Sequence, residues 1–287
     1  MQNTVFHHVG LIGRAGKKTT DTLESVAQYL ASNHIAVSIE EKTADMLQNP
    51  AHTSFSENTI PADMDLMIVV GGDGSLLNAA HIALPHHLPV LGINRGRLGF
   101  LTDIHPDDLD KIGDVLAGHY QVETRFLMQA HHDNQPLGLA LNDVVLLPGD
   151  TAQLIEFDIF VDGQFVCHQR ADGLIIATPT GSTAYALSGG GPILHPQLNA
   201  IVMVPMFPHT LSSRPIVVDG DAKIELFIHE HRDHQTAPCI SCDGQNRIKL
   251  EPGVRITVSK HPQKLQLIHP ENYRYFETLR EKLGWQV

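Results

Sequence analysis

Hydrophobic and polar positions follow two rhythms along the chain, and the change comes near residue 120. Before it, short apolar runs alternate with segments whose apolar residues recur at helical spacing. Val5–Ile12 and Ile35–Ile39 read as strands, and Leu66–Val70 (LMIVV) is apolar throughout, as expected where both faces of a parallel sheet are covered. Within Thr20–Asn33, residues Leu23, Val26, Ala27 and Leu30 fall at i, i+3, i+4 and i+7 and so line one helical face. Ser75–Ala83 predicts a second helix, Pro89–Ile93 a fourth strand, and Pro106–Ala117 a third helix, opened by a proline and acids that suit a helix N-terminus. Residues 41–62 are polar and fit neither period. Alternating strands and helices predict a doubly wound, Rossmann-like α/β domain over residues 1–119.

After residue 120 the period becomes two. Tyr120, Val122, Thr124, Phe126 and Met128 alternate with Gln121, Glu123, Arg125 and Leu127. Ile155, Phe157, Ile159 and Val161 do the same and then meet Asp162-Gly163, a dipeptide that favours a type I′ hairpin turn. Further strands are expected at Ile216–Val218, Lys223–Ile228, Arg247–Leu250, Val254–Val258 and Lys264–Ile268. This predicts a mostly β domain over residues 120–271. The helical Tyr273–Leu283, within a terminal segment 272–287, is expected to return to the first domain.

Charge narrows the classes of partner. The 287 residues carry 20 Lys and Arg against 32 Asp and Glu, a net charge of −12. That balance opposes nucleic-acid binding, which needs a basic face to release counterions. No stretch approaches the ~18–20 apolar residues of a membrane span, and the N-terminus lacks a basic region followed by an apolar run. The three cysteines, Cys167, Cys239 and Cys242, read as reduced thiols of a cytoplasmic protein.

Candidate chemistry gathers in three places. Gly71-Gly72-Asp73-Gly74-Ser75 follows the LMIVV strand and opens a helix. Glycines there allow positive φ and close ligand approach, and amides at a helix N-terminus point at an anion such as phosphate. A carboxylate beside phosphates is repelled unless it handles Mg²⁺ or takes a proton from an attacking hydroxyl, so Asp73 suggests phosphoryl transfer; a tight turn with Asp73 as helix cap is the plain alternative. Leu174–Ser188 runs from an apolar strand into Thr178, Thr180, Ser182 and Thr183, either a hydrogen-bonding surface for a polar ligand or a loop that caps its own helix. Asn142-Asp143 interrupts an apolar run, and Arg170 and Asp172 precede the Leu174 strand. Each pair reads as site residues or as a plain surface ion pair, which stabilises little.

Together and in order, these motifs resemble the NAD kinase family, which phosphorylates the adenosine ribose 2′-hydroxyl of NAD to make NADP. GGDGS at 71–75, Asn142-Asp143, Asp172-Gly173 with TPTGSTAY at 178–185, Gly92-Ile93-Asn94, Leu98-Gly99-Phe100-Leu101 and Asp243-Gly244-Gln245 carry the resemblance. GGDG alone is shared with phosphofructokinases and lipid kinases, whereas TPTGSTAY is far more specific. The resemblance implies that Asp73 approaches the ribose hydroxyl as general base or positions Mg²⁺, which comes with ATP rather than on a fixed protein site. It implies that Gly71, Gly72, Gly74 and Ser75 bind the ATP phosphates. It also implies a dinucleotide site of Asp73, Gly74, Phe100, Asn142, Asp143, Arg170, Asp172, Thr183, Ala184, Tyr185, Ser188, Asp243 and Gln245. Asp143 stands where many members carry Glu. The implied partners are NAD, ATP and further copies of the chain, as homodimer or homotetramer, with Arg170 and Tyr185 near a subunit boundary. Other triphosphates or polyphosphate as donor, NADH as acceptor and NADPH feedback stay open. A binding-only nucleotide sensor and another GGDG-bearing kinase are the competing readings.

One cluster lies outside the family pattern. His229, His231, His234, Cys239 and Cys242 fall within fourteen residues. They read as a zinc site built on Cys-x-x-Cys plus His or as a polar hairpin tip.

Overall fold

The computed structural model describes residues 4–47, 53–95, 99–149, 154–229, 237–245, 247–251 and 253–285. Leu98, His231 and His234 lie outside them. The chain forms two compact units, residues 1–124 with 265–287, and residues 125–264.

In the first unit, parallel strands lie in the order Thr53–Phe55, Ala36–Glu40, His8–Gly13, Leu66–Gly71, Val90–Asn94, followed by the end of Arg255–Pro270. Every residue of Leu66–Gly71 is buried, which is why this strand shows no polar alternation. The helix Lys17–Ser32 buries Leu23, Val26, Ala27 and Leu30 against Val9, Leu11 and Ile68, so the predicted stripe is the one that packs. The helix Leu109–Leu116 buries Ile112, Val115 and Leu116 in the same core. The polar stretch from residue 41 contains a short helix, Glu41–Ala44, and the strand Thr53–Phe55. Three residues are too few to display a period, and only fully buried Phe55 marks the strand.

The second unit is a pair of antiparallel layers. One runs Ile216–Asp219, Ala200–Met206, Gly173–Ala177, Asp143–Leu147, Cys239–Cys242 and Ile248–Lys249. The other places Gln164–Ala171, Ile155–Val161, Ile224–Ile228 and the start of Arg255–Pro270 side by side. Phe157, Ile159 and Leu226 of one layer and Val144, Leu146, Leu174 and Ile176 of the other share a core. Gly173–Ala177 is buried on both faces, because Ile175 and Ala177 pack outward against Ala186 and Leu194. Asp162 and Gly163 both have positive φ, 50° and 76°, as a type I′ turn requires.

Two expectations need correction. Val254–Val258 and Lys264–Ile268 are parts of one strand, Arg255–Pro270. Its first part pairs antiparallel with Ile224–Phe227 and its last part parallel with Val90–Leu91, so the polar residues between them stay extended. Cys239–Cys242 is a buried strand rather than a hairpin tip.

A buried ionic triad closes the first unit's core. His269, 1% exposed, has Nδ1 2.8 Å from Asp103 and Nε2 3.2 Å from Glu123, and its ring stacks on Tyr273 at 4.1 Å. Burial pulls the imidazole pKa down, but the bonds to Asp103 and Glu123 prevail and raise it to about 9. A raised folded pKa gives stability that is full below the unfolded value of ~6.5 and is lost as pH rises through 9. We expect His269→Gln to cost about 3 kcal/mol at pH 6.5, since it strands two buried carboxylates. In denaturant titrations the gap from the parent chain should narrow as pH passes 9; a gap independent of pH would contradict this.

Candidate functional site

In the first unit the chemistry centres on Asp73. The helix Asp73–Ala83 begins directly after the Leu66–Gly71 strand, with Gly72 as its N-cap and Asp73 in its first turn. The carboxylate is clamped from outside the helix. Its Oδ2 accepts from the Phe100 amide at 2.9 Å and its Oδ1 from the Leu101 amide at 3.0 Å. Asn94 shapes the donor loop by donating to the carbonyl of Thr102 at 3.2 Å and to its hydroxyl at 3.0 Å. A side-chain carbon on Gly99 would fall 2.2 Å from Asp73 Oδ1, so only glycine fits there. Phe100 carries the ammonium of Lys282 over its ring at 5.4 Å.

The loop glycines serve closeness rather than twist. Gly71, Gly72 and Gly74 are not among the positive-φ residues, which corrects the expectation that they supply left-handed backbone. A carbon on Gly71 would strike Ser75 Oγ at 2.3 Å, whereas Gly72 and Gly74 face open space. Bare backbone at a helix N-terminus, with nothing in front of it, suits an anion's approach.

The second unit holds a cleft of about 360 Å³ lined by Asn142, Asp143, Ala184, Tyr185, Ser241, Asp243 and Arg247 among others. Its framework is another clamped carboxylate. Asp243 Oδ2 accepts from the Leu141 amide at 2.8 Å, and its Oδ1 from the amides of Asn142 and Asp143 at 2.7 and 3.2 Å. Asp243 and Gly244 turn the chain with φ of 52° and 67°. The TPTGSTAY turn is seated on the same backbone: Thr178 N donates to Asn142 O at 2.9 Å, and a carbon on Gly181 would lie 2.1 Å from that oxygen.

Most of the signature's hydroxyls do not face a ligand. Thr178, Thr180 and Ser182 are buried. Thr178 donates to Leu141 O at 2.5 Å, Ser182 to Pro179 O at 2.7 Å and Thr183 to Thr180 O at 3.2 Å, while Thr180 Oγ1 accepts from Arg125 at 3.3 Å. The turn folds itself, and Ala184 and Tyr185 are its contributions to the cleft. Thr183, Ser188, Arg170 and Asp172 do not line it; Arg170 pairs with Glu156 at 3.5 Å. Gln245 belongs to the Asp243 turn, its amide donating to Cys242 O at 2.9 Å. Sequence reasoning missed Ser241 and Arg247, the cleft's cation. Arg247 lies four residues beyond Asp243, and only that proximity signals it.

Asp143 is 5% exposed. Burial, and then the charge of Asp243, push its pKa up to about 7. A carboxyl poised there is common at functional sites. Cys242, buried and close to both acids, is pushed up to about 12 and is no nucleophile.

Comparison with known proteins was made on this basis. Residues 9–120 match the model for the ATP-NAD kinase N-terminal domain, and residues 141–270 that for the ATP-NAD kinase C-terminal domain. An NAD kinase of Pseudomonas putida is 54% identical over 286 residues, 98% of this chain and 96% of that protein. An NAD kinase of Coxiella burnetii is also 54% identical, over 98% of this chain and 95% of its own. Among solved structures, yeast NADH kinase complexed with NADH superposes with a TM-score of 0.88 at 25% identity, covering 99% of this chain and 89% of that one. An NAD kinase from Archaeoglobus fulgidus in complex with ATP gives 0.75 at 26% identity, covering 96% and 99%.

The Asp143 environment yields a stability test. An acid whose folded pKa is raised from 3.8 to about 7 costs the fold stability progressively as pH climbs through that window, where the native state holds the extra proton. We expect Asp143→Asn to raise the melting temperature at pH 8, by about 1 kcal/mol or more in unfolding free energy, and to change little at pH 4. Equal effects at the two pH values in calorimetry would refute the buried-acid assignment.

Proposed function

The chain belongs to the ATP-NAD kinase family and is a phosphotransferase acting on NAD; we propose that it moves the terminal phosphoryl group of ATP to the 2′-hydroxyl of the adenosine ribose, making NADP. The observation that carries this reading is the clamped Asp73 at the mouth of an unobstructed glycine loop. Phosphoryl transfer asks a protein mainly for positioning and charge stabilisation. Gly72 and Gly74 leave the loop backbone open to phosphate oxygens. Asp73, fixed in direction by two amides, is the proposed general base for the ribose hydroxyl.

In the cleft, Asn142 and Asp143 are the proposed partners of adenine and ribose. Tyr185, 46% exposed, offers a ring face, and Arg247 offers positive charge to the dinucleotide's phosphates. Phe100, Arg170, Asp172, Thr183, Ser188, Asp243 and Gln245 stay in the proposal. Asp243 acts through the backbone it holds.

Mg²⁺ is the proposed cofactor. After accepting two amides, each Asp73 oxygen keeps a lone pair, so the loop has a hard oxygen donor that fits Mg²⁺ carried by the triphosphate. When bound, the ion neutralises charge on the phosphate oxygens.

Self-association as a homodimer or homotetramer is also proposed. It is supported by Phe165, Phe207 and Leu211, apolar side chains that are 59%, 82% and 93% exposed and whose contact with a second copy would remove apolar surface from water. No helix of the described residues is long and apolar enough to cross a membrane. The three cysteines are unpaired, in keeping with the cytoplasmic location we propose.

The decisive assay is NADP formation from NAD with ATP and Mg²⁺, read by an NADP-specific dehydrogenase. Asp73→Asn should keep NAD affinity and lose ~10²–10⁴-fold in kcat; near-parental turnover would move the general base elsewhere. Turnover with polyphosphate in place of ATP would change the donor. Gly99→Ala, which drives a methyl into Asp73 Oδ1, should lower kcat at least tenfold while NAD affinity measured by calorimetry stays within about threefold. An unchanged kcat would mean that the amide clamp does not position Asp73.

A further inference from the structure

We propose that Asp158, His168 and His229 form a binding site for one divalent transition-metal ion, zinc foremost, separate from the phosphate loop and from the cleft. Two adjacent strands and the residue just after a third supply one ligand each. His168 on Gln164–Ala171 is the cross-strand partner of Asp158 on Ile155–Val161. Asp158 in turn pairs with Phe227 on Ile224–Ile228, and His229 follows that strand's end, held by its amide to Glu156 O at 2.9 Å. Asp158 alternates with core residues Phe157 and Ile159, so the three side chains meet on the layer's outer face.

Their ligand atoms lie within 4.8 Å of one another. His168 Nδ1 is 2.8 Å from Asp158 Oδ1, and His229 Nε2 is 3.0 Å from Oδ2. The His229 nitrogen is shielded from solvent and lies at ion-pair distance from the carboxylate. The rings are already oriented. His229 meets Phe227 edge-on at 5.1 Å and His168 at 5.3 Å. Tetrahedral zinc, with bonds of about 2.0–2.2 Å, separates its ligand atoms by about 3.3 Å. The two His–Asp contacts therefore have to open by about half an ångström or less, and the two imidazole nitrogens, within 4.8 Å of each other, have to draw in to about that same separation. Two imidazoles and a carboxylate suit zinc, copper, nickel or cobalt rather than Mg²⁺ or Ca²⁺, and three protein ligands leave a coordination position for water.

Among the described residues, the zinc pattern legible in the sequence is not the one the structure assembles. Cys239 and Cys242 sit three apart on one buried strand, which turns their side chains to opposite faces. Of the five residues in that pattern, only His229 belongs to the proposed site, and its partners Asp158 and His168 lie 71 and 61 positions earlier in the chain.

The test uses the full chain, stripped with chelator and titrated with ZnCl₂ against a chromophoric competitor in the presence of millimolar Mg²⁺. We expect one zinc per chain. His168→Ala and His229→Ala should each weaken it by at least ~10–100-fold. Cobalt(II) should give a visible d–d spectrum that Asp158→Asn alters. Melting curves of the variants without metal check that each has folded. The proposal fails if the parent chain binds no stoichiometric zinc. It also fails if the His168→Ala/His229→Ala double variant retains it, or if His231→Ala/His234→Ala abolishes binding while His168→Ala does not.

Discussion

A carboxylate that accepts hydrogen bonds from backbone amides far along the chain is the interaction on which the chemistry rests, and the protein uses it in each unit. Asp73 grips the amides of Phe100 and Leu101, 27 and 28 residues on; Asp243 grips those of Leu141, Asn142 and Asp143, about a hundred residues back. Charge-assisted bonds of this kind are shorter and stronger than neutral ones, and each closes a loop whose ordering would otherwise cost conformational entropy. The grip also fixes the carboxylate. Asp73 cannot swing away from its loop without freeing two amides, so its remaining lone pairs keep one direction.

Close approach is the condition for both clamps, and it explains the glycines better than torsion does. Gly99 is glycine because Asp73 occupies the space of its side chain, and Gly181 because the Asn142 carbonyl does. Gly72 and Gly74 differ: nothing in the protein fills the space in front of them. A glycine whose missing side chain is not claimed by the protein leaves room for something else, and backbone amides at a helix N-terminus suit that room to an anion.

The elements with a period were legible in the sequence. The LMIVV strand, the Leu23–Leu30 stripe, the Asp162-Gly163 turn and the glycine loop before its helix all stand where local pattern places them. What local pattern could not carry was long-range. The Thr53–Phe55 strand is too short for a period. The hydroxyls of Thr178, Thr180 and Ser182 read equally as a surface for a ligand or as a loop that caps itself, because their partners, Leu141 O, Arg125 and Pro179 O, become visible only once the strands are assembled. Asp243 as a backbone clamp and Arg247 as the cleft's cation depend on the pairing of Cys239–Cys242 with Asp143–Leu147, and nothing in the spelling of either segment announces that pairing.

The cleft's two acids divide the work through their surroundings. Asp243 spends its oxygens on three amides and shapes the backbone. Asp143 lies buried beside it, and burial pushes its pKa up to about 7, so both of its protonation states are accessible near neutral pH. The short aspartate side chain keeps this carboxyl close to its own buried strand, and burial is the larger cause of the shift. A carboxyl so poised can donate to a ligand oxygen when protonated or accept from a ligand hydroxyl when ionised. On the proposed function, a ribose hydroxyl that donates to it stabilises the ionised form, which draws the proton off as the dinucleotide binds. The affinity of the cleft and the charge of Asp143 are then one equilibrium, set by how deeply the strand buries a single carboxyl group.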